Sequence, residues 1–349
     1  MPLQRGPAEE PGRPARALAD DLSRYYAVGV RVRTDSLVGV LVDVHGNVLR
    51  DTGGDGEPAS LRRSLVDTNV ETVVRGVADL VADLLASHPG LEDPLGLGVE
   101  LIGQVDARDG VVRRSHRMGW QEPVPLAELL EAATGHRTLV EHDTKSLVVA
   151  EQMFGLGQGR RSFAVVTAGF GIGTGLVINH SLWRGPNGTA GELGHVVVDP
   201  DGRPCLCGGR GCLETMAGSG GILQTIRSQG GSDDALDMDA ASQLARDGDA
   251  AARRAFEEAG AFLGLGLSWL VNLLDMELVI VHADPALLNS GAYVPAAVRS
   301  YTAHSFHAVD ERPMLRFSPR DDRLGARSVG SMVFRLLPDR LAELGEPWG

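Results

Sequence analysis

The chain has 349 residues, 43% of them hydrophobic, and a formal net charge of −13. That length calls for two lobes, because single cores rarely grow past about 250 to 300 residues. No apolar run is long enough for a bilayer span and no apolar h-region opens the chain, so a cytoplasmic protein without a membrane partner is expected. The acidic balance argues against nucleic-acid binding by this chain alone, since such binding needs a basic face that neutralises phosphates.

In chain order, residues 1–24 read as a flexible Pro/Gly-rich tail. Tyr26–Asp43, with β-branched runs broken by turn residues and the turn His45-Gly46-Asn47 behind it, reads as a hairpin. A helix pattern over Val70–Leu85, a strand at Leu95–Leu101, a helix at Leu126–Ala133, a strand at Thr138–Glu141 and a helix at Thr144–Met153 follow. Asp143, at that last strand-to-helix junction, is a candidate N-cap. Phe163–Ile178 then repeats the strand-turn-strand design of the first hairpin, and Ala250–Leu274 is a long helical stretch ahead of an apolar strand at Leu278–Val281. Strands alternating with helices mean α/β lobes with mixed sheets. The division expected is a small lobe over 25–142, completed by a C-terminal segment from about 320 to 349, and a large lobe over 143–319.

Every cysteine falls in one stretch, Cys205-Leu-Cys207-Gly-Gly-Arg-Gly-Cys212, and His195 precedes it by ten positions. One imidazole and three thiols make the Cys₃His set of a closed, tetrahedral structural zinc, with glycines that let the backbone aim all four inward. Three unrelated buried thiols, or a disulfide with one thiol left over, are the weaker alternatives, because chance would scatter three cysteines along the chain and a C-x-C pair is poorly disposed for the Cα separation a relaxed disulfide needs. Glu192 and Glu214 flank the ligands, so a metal-pinned loop would hold two carboxylates and an imidazole together as a clamp for a polyol.

Gly185-Pro-Asn-Gly188-Thr-Ala190-Gly191-Glu192-Leu-Gly194-His195 and Cys205-Leu-Cys207-Gly208-Gly-Arg-Gly211-Cys212-Leu-Glu214 resemble the paired signatures of the ROK family of repressors, open reading frames and kinases. Weaker likeness runs from about Tyr26 to about Leu336. The resemblance implies an actin-like ATPase (ribonuclease-H-like) fold of two hairpin-led lobes, with a ligand in the central cleft. It implies sugar contacts from Asp143, Glu192, His195 and Glu214, with His142 and His116 where family kinases usually place Asn. Asp143 would be the general base only in a working kinase. A homo-oligomer, dimer or tetramer, is implied as well, and Ala250–Leu274 is a stretch that could serve it.

The phosphate side departs from the kinase pattern. The D-x-G-x-T of the kinases' first hairpin reads Arg31, Arg33 and Asp35 here, losing the acid that works near Mg²⁺ and the glycine that lets the chain approach an anion. In the second hairpin Gly169-Phe170-Gly171-Ile172-Gly173 keeps the glycines and replaces a phosphate-facing hydroxyl by an aromatic ring. The adenine-side Gly-Gly is replaced by His282-Ala283-Asp284-Pro285, and the Pro-Gly of the first lobe's sugar loop reads Ile102-Gly103-Gln104. ATP and Mg²⁺ are therefore not expected as cofactors.

The expectation from sequence is a sugar-sensing ROK-type regulator, or its sensor half, that binds a hexose or amino sugar without phosphorylating it. An ATP-dependent sugar kinase and a stand-alone sugar sensor are the alternatives. Family repressors carry a winged helix-turn-helix ahead of the first hairpin, where this sequence offers about two dozen residues. Glu9–Leu18 resembles the segment that leaves such a wing. DNA is accordingly a partner only if a helix-turn-helix is missing from this chain.

Overall fold

In a computed structural model, residues 25–50, 60–91, 93–228, 236–306, 313–320 and 322–336 are described. The expected N-terminal tail and the segment beyond 336 lie outside them.

Two five-stranded sheets carry the molecule, and they are built alike. The first comprises β1 (Tyr26–Val32), β2 (Ser36–Asp43), β3 (Ser60–Ser64), β4 (Leu97–Leu101) and β7 (Thr138–His142), in the spatial order β3-β2-β1-β4-β7. The second comprises β8 (Phe163–Ala168), β9 (Ile172–Ile178), β10 (Ser181–Leu182), β11 (Leu278–Ala283) and β12 (Met314–Pro319), in the order β10-β9-β8-β11-β12. Each opens with an antiparallel hairpin, β1–β2 or β8–β9, and continues through parallel neighbours on the other side of the hairpin's first strand. The repeated hairpin read in the sequence is this duplication. The central strands are buried along their whole length, as β-branched runs covered on both faces should be.

The chain crosses between the sheets twice. Leaving β7 it forms α3 (Asp143–Phe154), which packs on β8 and β9; leaving β12 it forms α10 (Asp322–Val333), which packs on β1, β2 and β4. The two crossing helices touch each other between the sheets. Small residues make the second packing possible. A Cβ on Gly29 would stand 1.9 Å from the Ala326 carbonyl oxygen, and one on Gly98 2.4 Å from that of Val329. So α10 lies with its backbone directly on the first sheet, and Gly29→Ala would push it off.

The first sheet's other face is covered by α1 (Val70–Ala86), whose Val73, Val77, Leu80, Val81 and Leu84 form one buried stripe, and by α2 (Leu126–Thr134). A short hairpin of β5 (Gln104–Asp106) and β6 (Val111–Arg114) projects from this lobe. On the second lobe, α4 (Leu213–Ala217), α5 (Ser219–Ser228), α6 (Met238–Arg246), α7 (Ala250–Leu274), α8 (Pro285–Asn289) and α9 (Tyr293–His304) complete the core. The long helix α7 is spent mainly on that core: Phe256, Leu263, Leu267 and Val271 are fully buried, and Gly260 and Gly264 admit the backbone of α9. Its large exposed apolar side chains, Leu273 and Leu274, lie at its C-terminal end.

Candidate functional site

The Cys-rich loop folds as its ligand spacing suggests. His195 ends a 3₁₀ turn over Leu193–His195, Cys205 and Cys207 lie on a tight loop, and Cys212 precedes α4. One donor atom from each of the four lies within 4.8 Å of every other. Cys207 Sγ and Cys212 Sγ are 3.7 Å apart, and Cys205 Sγ and His195 Nδ1 are 3.6 Å apart. A tetrahedral zinc with Zn–S of about 2.3 Å and Zn–N of about 2.0 Å has edges of about 3.8 and 3.6 Å. The cluster could therefore hold a metal ion of that kind, and the three cysteines are free thiols rather than a disulfide. Gly211, at φ +67°, is one enabling residue: a Cβ there would sit 1.5 Å from the Asp199 carbonyl oxygen.

The flanking carboxylates gather around the cluster. Glu214 Oε1 is 3.8 Å from His195 Nδ1, and Glu192 Oε2 is 4.0 Å from His195 Nε2. Lys145, the only lysine of the chain, reaches from α3 to donate to the Gly188 carbonyl, so the loop that carries Glu192 is tied to the crossing helix. Gly191, at φ +92°, lets that loop pass over β9, where a Cβ would meet the Thr174 carbonyl oxygen at 2.2 Å.

Between the lobes lies a cleft of about 520 Å³. His116 faces it from the small lobe, Asp143 from the start of the crossing helix α3, Gly169, Phe170 and Gly171 from the second hairpin's turn, and Arg31 and Arg33 from the first hairpin. Of the other expected sugar contacts, Glu214 stands at the cleft edge, its Oε2 3.9 Å from Arg117, whereas Glu192 and His195 lie at the Cys-rich loop and His142 is not among the lining residues. Arg117 joins the two groups: its guanidinium lies 4.2 Å from the Phe170 ring centre and 3.9 Å from Glu214 Oε2. That is cation–π and ionic contact from one lobe to the other, across the cleft.

Asp143 opens α3 and is 6% exposed. The capping expectation is corrected here. His142 occupies the N-cap position, its Nδ1 accepting from the Thr144 N–H at 3.2 Å, because its extended backbone aims the ring back over the first turn. The Asp143 carboxylate is thus left for ionic partners. Arg320 Nη2 donates to its Oδ2 at 2.7 Å and Arg31 Nη2 stands 3.6 Å away. Burial alone would raise its pKa, but His142, Arg320 and Arg31 outweigh that and hold the carboxyl well below the usual range. Asp143 and Arg320 mark the two crossing points of the chain, so this ion pair ties the crossings together.

Arg31, where the kinase pattern has its acid, is equally committed. Its Nη1 donates to Glu100 at 3.0 Å and its Nε lies 3.6 Å from Asp322. Glu100 is fully buried within β4 and accepts also from Ser146; burial pushes its carboxyl up to about 7, with Arg31 opposing. Arg33 Nη1 donates to Asp322 at 2.8 Å. Asp35 turns outward, accepting from Ser36 at 2.9 Å, and is not part of the cleft wall. Gly173 is not a turn residue at all: it lies in β9, where a Cβ would meet Thr144 Oγ1 at 2.4 Å, so the packing of α3 requires it. On the far side His282 is buried, its Nε2 2.9 Å from Glu151, and Asp284 caps α8 through the Ala286 N–H at 2.9 Å.

Arg117, Glu100, Arg320 and Asp322 escape a reading of motifs. Glu100 alone leaves a signal, as a charged residue inside an otherwise apolar strand. Arg320 and Asp322 gain meaning only when β12 brings them 177 and 179 positions along the chain back to Asp143.

The chain resembles both enzymes and repressors. It is 38% identical to the glucokinase of Thermotoga maritima over 156 residues, covering 45% of this chain and 48% of that protein. It is 25% identical to the xylose repressor of Bacillus subtilis over 270 residues, 76% of this chain and 67% of the repressor. The chain spans about half the length of the glucokinases it matches. Its actin-like ATPase fold is shared with a crystal structure of a ROK family transcriptional regulator, a homologue of the Escherichia coli Mlc protein, at TM-score 0.78, with 21% identity over 93% of this chain and 81% of that one. The ROK family model itself matches residues 38–333, which is most of the chain, and the protein belongs to the ROK family.

Proposed function

We propose that this protein binds a hexose or amino sugar without phosphorylating it and serves as the sugar-responsive part of a ROK-type transcriptional regulator. The observation that carries the reading is the state of Asp143. A general base must receive a proton from a sugar hydroxyl, and a carboxylate that already accepts from Arg320 at 2.7 Å, with Arg31 at 3.6 Å, has little affinity for one. The phosphate turns support the same reading, because Arg31 binds Glu100 and Asp143 where a kinase of this fold uses an acid near Mg²⁺. Sugar binding then shifts the balance between two arrangements of the lobes, and Arg117, which touches both sides of the cleft, is placed to respond. His195, Cys205, Cys207 and Cys212 would hold a structural zinc that stiffens the loop carrying Glu192 and Glu214. DNA binding requires a helix-turn-helix supplied outside the described residues, and a homo-oligomer is part of the proposal.

A sugar kinase is the second reading, favoured by the 38% identity to the Thermotoga glucokinase. Calorimetry against hexoses and amino sugars tests the binding. We expect a ligand at millimolar concentration or better, with Asp143→Asn and Glu214→Ala each weakened by about 1 to 3 kcal/mol. No ligand in the panel, or parental affinity in both variants, would end the sugar reading.

A further inference from the structure

Arg31, Arg33, Arg117 and Arg320 line the central cleft, and three of them are spent inside the protein. Arg31 donates to Glu100 at 3.0 Å, Arg33 to Asp322 at 2.8 Å and Arg320 to Asp143 at 2.7 Å. Arg117 is different. Among the described residues its guanidinium makes no hydrogen bond: the nearest acid, Glu214, keeps its Oε2 3.9 Å from Nη2, and its other oxygen faces the metal loop, 3.3 Å from Cys205 Sγ. A solvated surface arginine would satisfy its donors with water, but this side chain is only 20% exposed. Burial pushes its pKa below the usual arginine value, with Glu214 and then Asp143 opposing, so a largely covered cation is left with distant charges as its only compensation.

The guanidinium is also held in place. It lies over the Phe170 ring, 4.2 Å from the ring centre, which restrains its plane and leaves its N–H edge as the means of contact. A Cβ on Gly171 would stand 3.1 Å from both Arg117 Nη2 and Glu214 Oε2, so the second hairpin's turn keeps the space beside that edge open. Arg117, Phe170 and Gly171 all line the cleft, and the open edge therefore gives onto it. A carboxylate is the planar anion that accepts two parallel N–H bonds from one guanidinium edge. The charge of the lining agrees. With His116 neutral, four arginines stand against the three carboxylates of Asp143, Asp284 and Asp322, and one further negative charge balances them.

We infer that Arg117 binds a carboxylate of the cleft ligand and sets its specificity, and that the ligand is a hexuronic acid, a sugar carrying a carboxylate in place of its terminal hydroxymethyl group. That the ligand is a sugar rests on the reading of the cleft given above; the carboxylate rests on Arg117 itself.

Calorimetry of the full chain with glucuronate, galacturonate, their neutral counterparts glucose and galactose, and acetate separates the two. We expect at least one uronate to bind about tenfold or more tightly than its neutral counterpart, and acetate to bind more weakly than that uronate. Arg117→Gln should lose about tenfold for the uronate while changing the neutral sugar little, and Arg117→Lys, which keeps the charge without the paired donors, should recover only part of the loss. Circular dichroism verifies that both variants fold. Neutral sugars bound as tightly as the uronates, or parental uronate binding in Arg117→Gln, would overturn this inference and leave the sugar reading in place. Acetate bound as tightly as the uronates would overturn the sugar acid. Absence of binding by every sugar, neutral or acidic, at about 10 mM would end both.

Discussion

The two ends of the cleft are held together by opposite means. At the large-lobe end, His195 and three cysteines converge within 4.8 Å, and glycines at 191 and 211 allow a backbone path that any side chain would block. At the other, beside the first hairpin, Arg31, Arg33 and Arg320 are spread over Glu100, Asp143 and Asp322. The first end keeps a motif whose geometry tolerates little change. The second is held by side chains that satisfy one another. One end is thus fixed by a backbone path and the other by an internal ion network.

The largest effect should come from the metal loop. Metal analysis of protein prepared without chelator should give about one zinc per chain, and Cys207→Ser should lower that content and the melting temperature together, since structural zinc contributes folding free energy directly. A metal-free parent as stable as the loaded protein would remove the loop from the comparison.

Next comes the ion network. Arg320→Ala leaves the Asp143 carboxylate buried with one guanidinium fewer, which should cost about 3 kcal/mol in urea unfolding, the lower end of the range for breaking a buried pair because Arg31 remains. A loss near that of an exposed pair, below about 1 kcal/mol, would show that the network is ornamental to stability.

The acid limb of stability is a smaller and more selective probe. Burial opposes the ionised forms of Asp143 and Asp322, but His142 with Arg320 and Arg31 around the first, and the arginines around the second, prevail and hold both carboxyls below the ordinary 3.8. Groups depressed in the folded state contribute stability that is fully present above 3.8 and is lost as pH falls through their folded values. The parent should therefore lose stability steeply below about pH 4, by as much as about 1.4 kcal/mol per pH unit for each such group, and Asp143→Asn should flatten that slope. An unchanged slope in Asp143→Asn would mean that the carboxylate is not paired as described.

The sequence made the first end of the cleft legible and the second only by default. Four candidate metal ligands within eighteen positions declare themselves through spacing, and the two hairpins through β-branched runs whose first strands the structure buries throughout. Strands β3 and β12 went unread because they lie at sheet edges, where alternate or exposed positions give a weak apolar signal. The hairpin β5–β6 is too short for any period. Sequence raised the expectation that Arg31 and Arg33 stand where family kinases place phosphate-turn residues, but could not name their partners, because Glu100, Asp143 and Asp322 arrive from three other elements. The reading of Asp143 as a cap failed for a local reason: its neighbour His142 has the extended backbone and reaches the free N–H first.

The central claim is that the ion network has replaced phosphoryl transfer, and a coupled assay with ATP, Mg²⁺ and a panel of glucose, N-acetylglucosamine and mannosamine derivatives tests it most directly. With Asp143 held by Arg320 and the phosphate turns filled by Arg31 and Arg33, no sugar should be phosphorylated at a rate approaching about 1 s⁻¹, the lower end for working kinases. Turnover at or above that rate, abolished in Asp143→Asn, would contradict the account and make the protein a kinase.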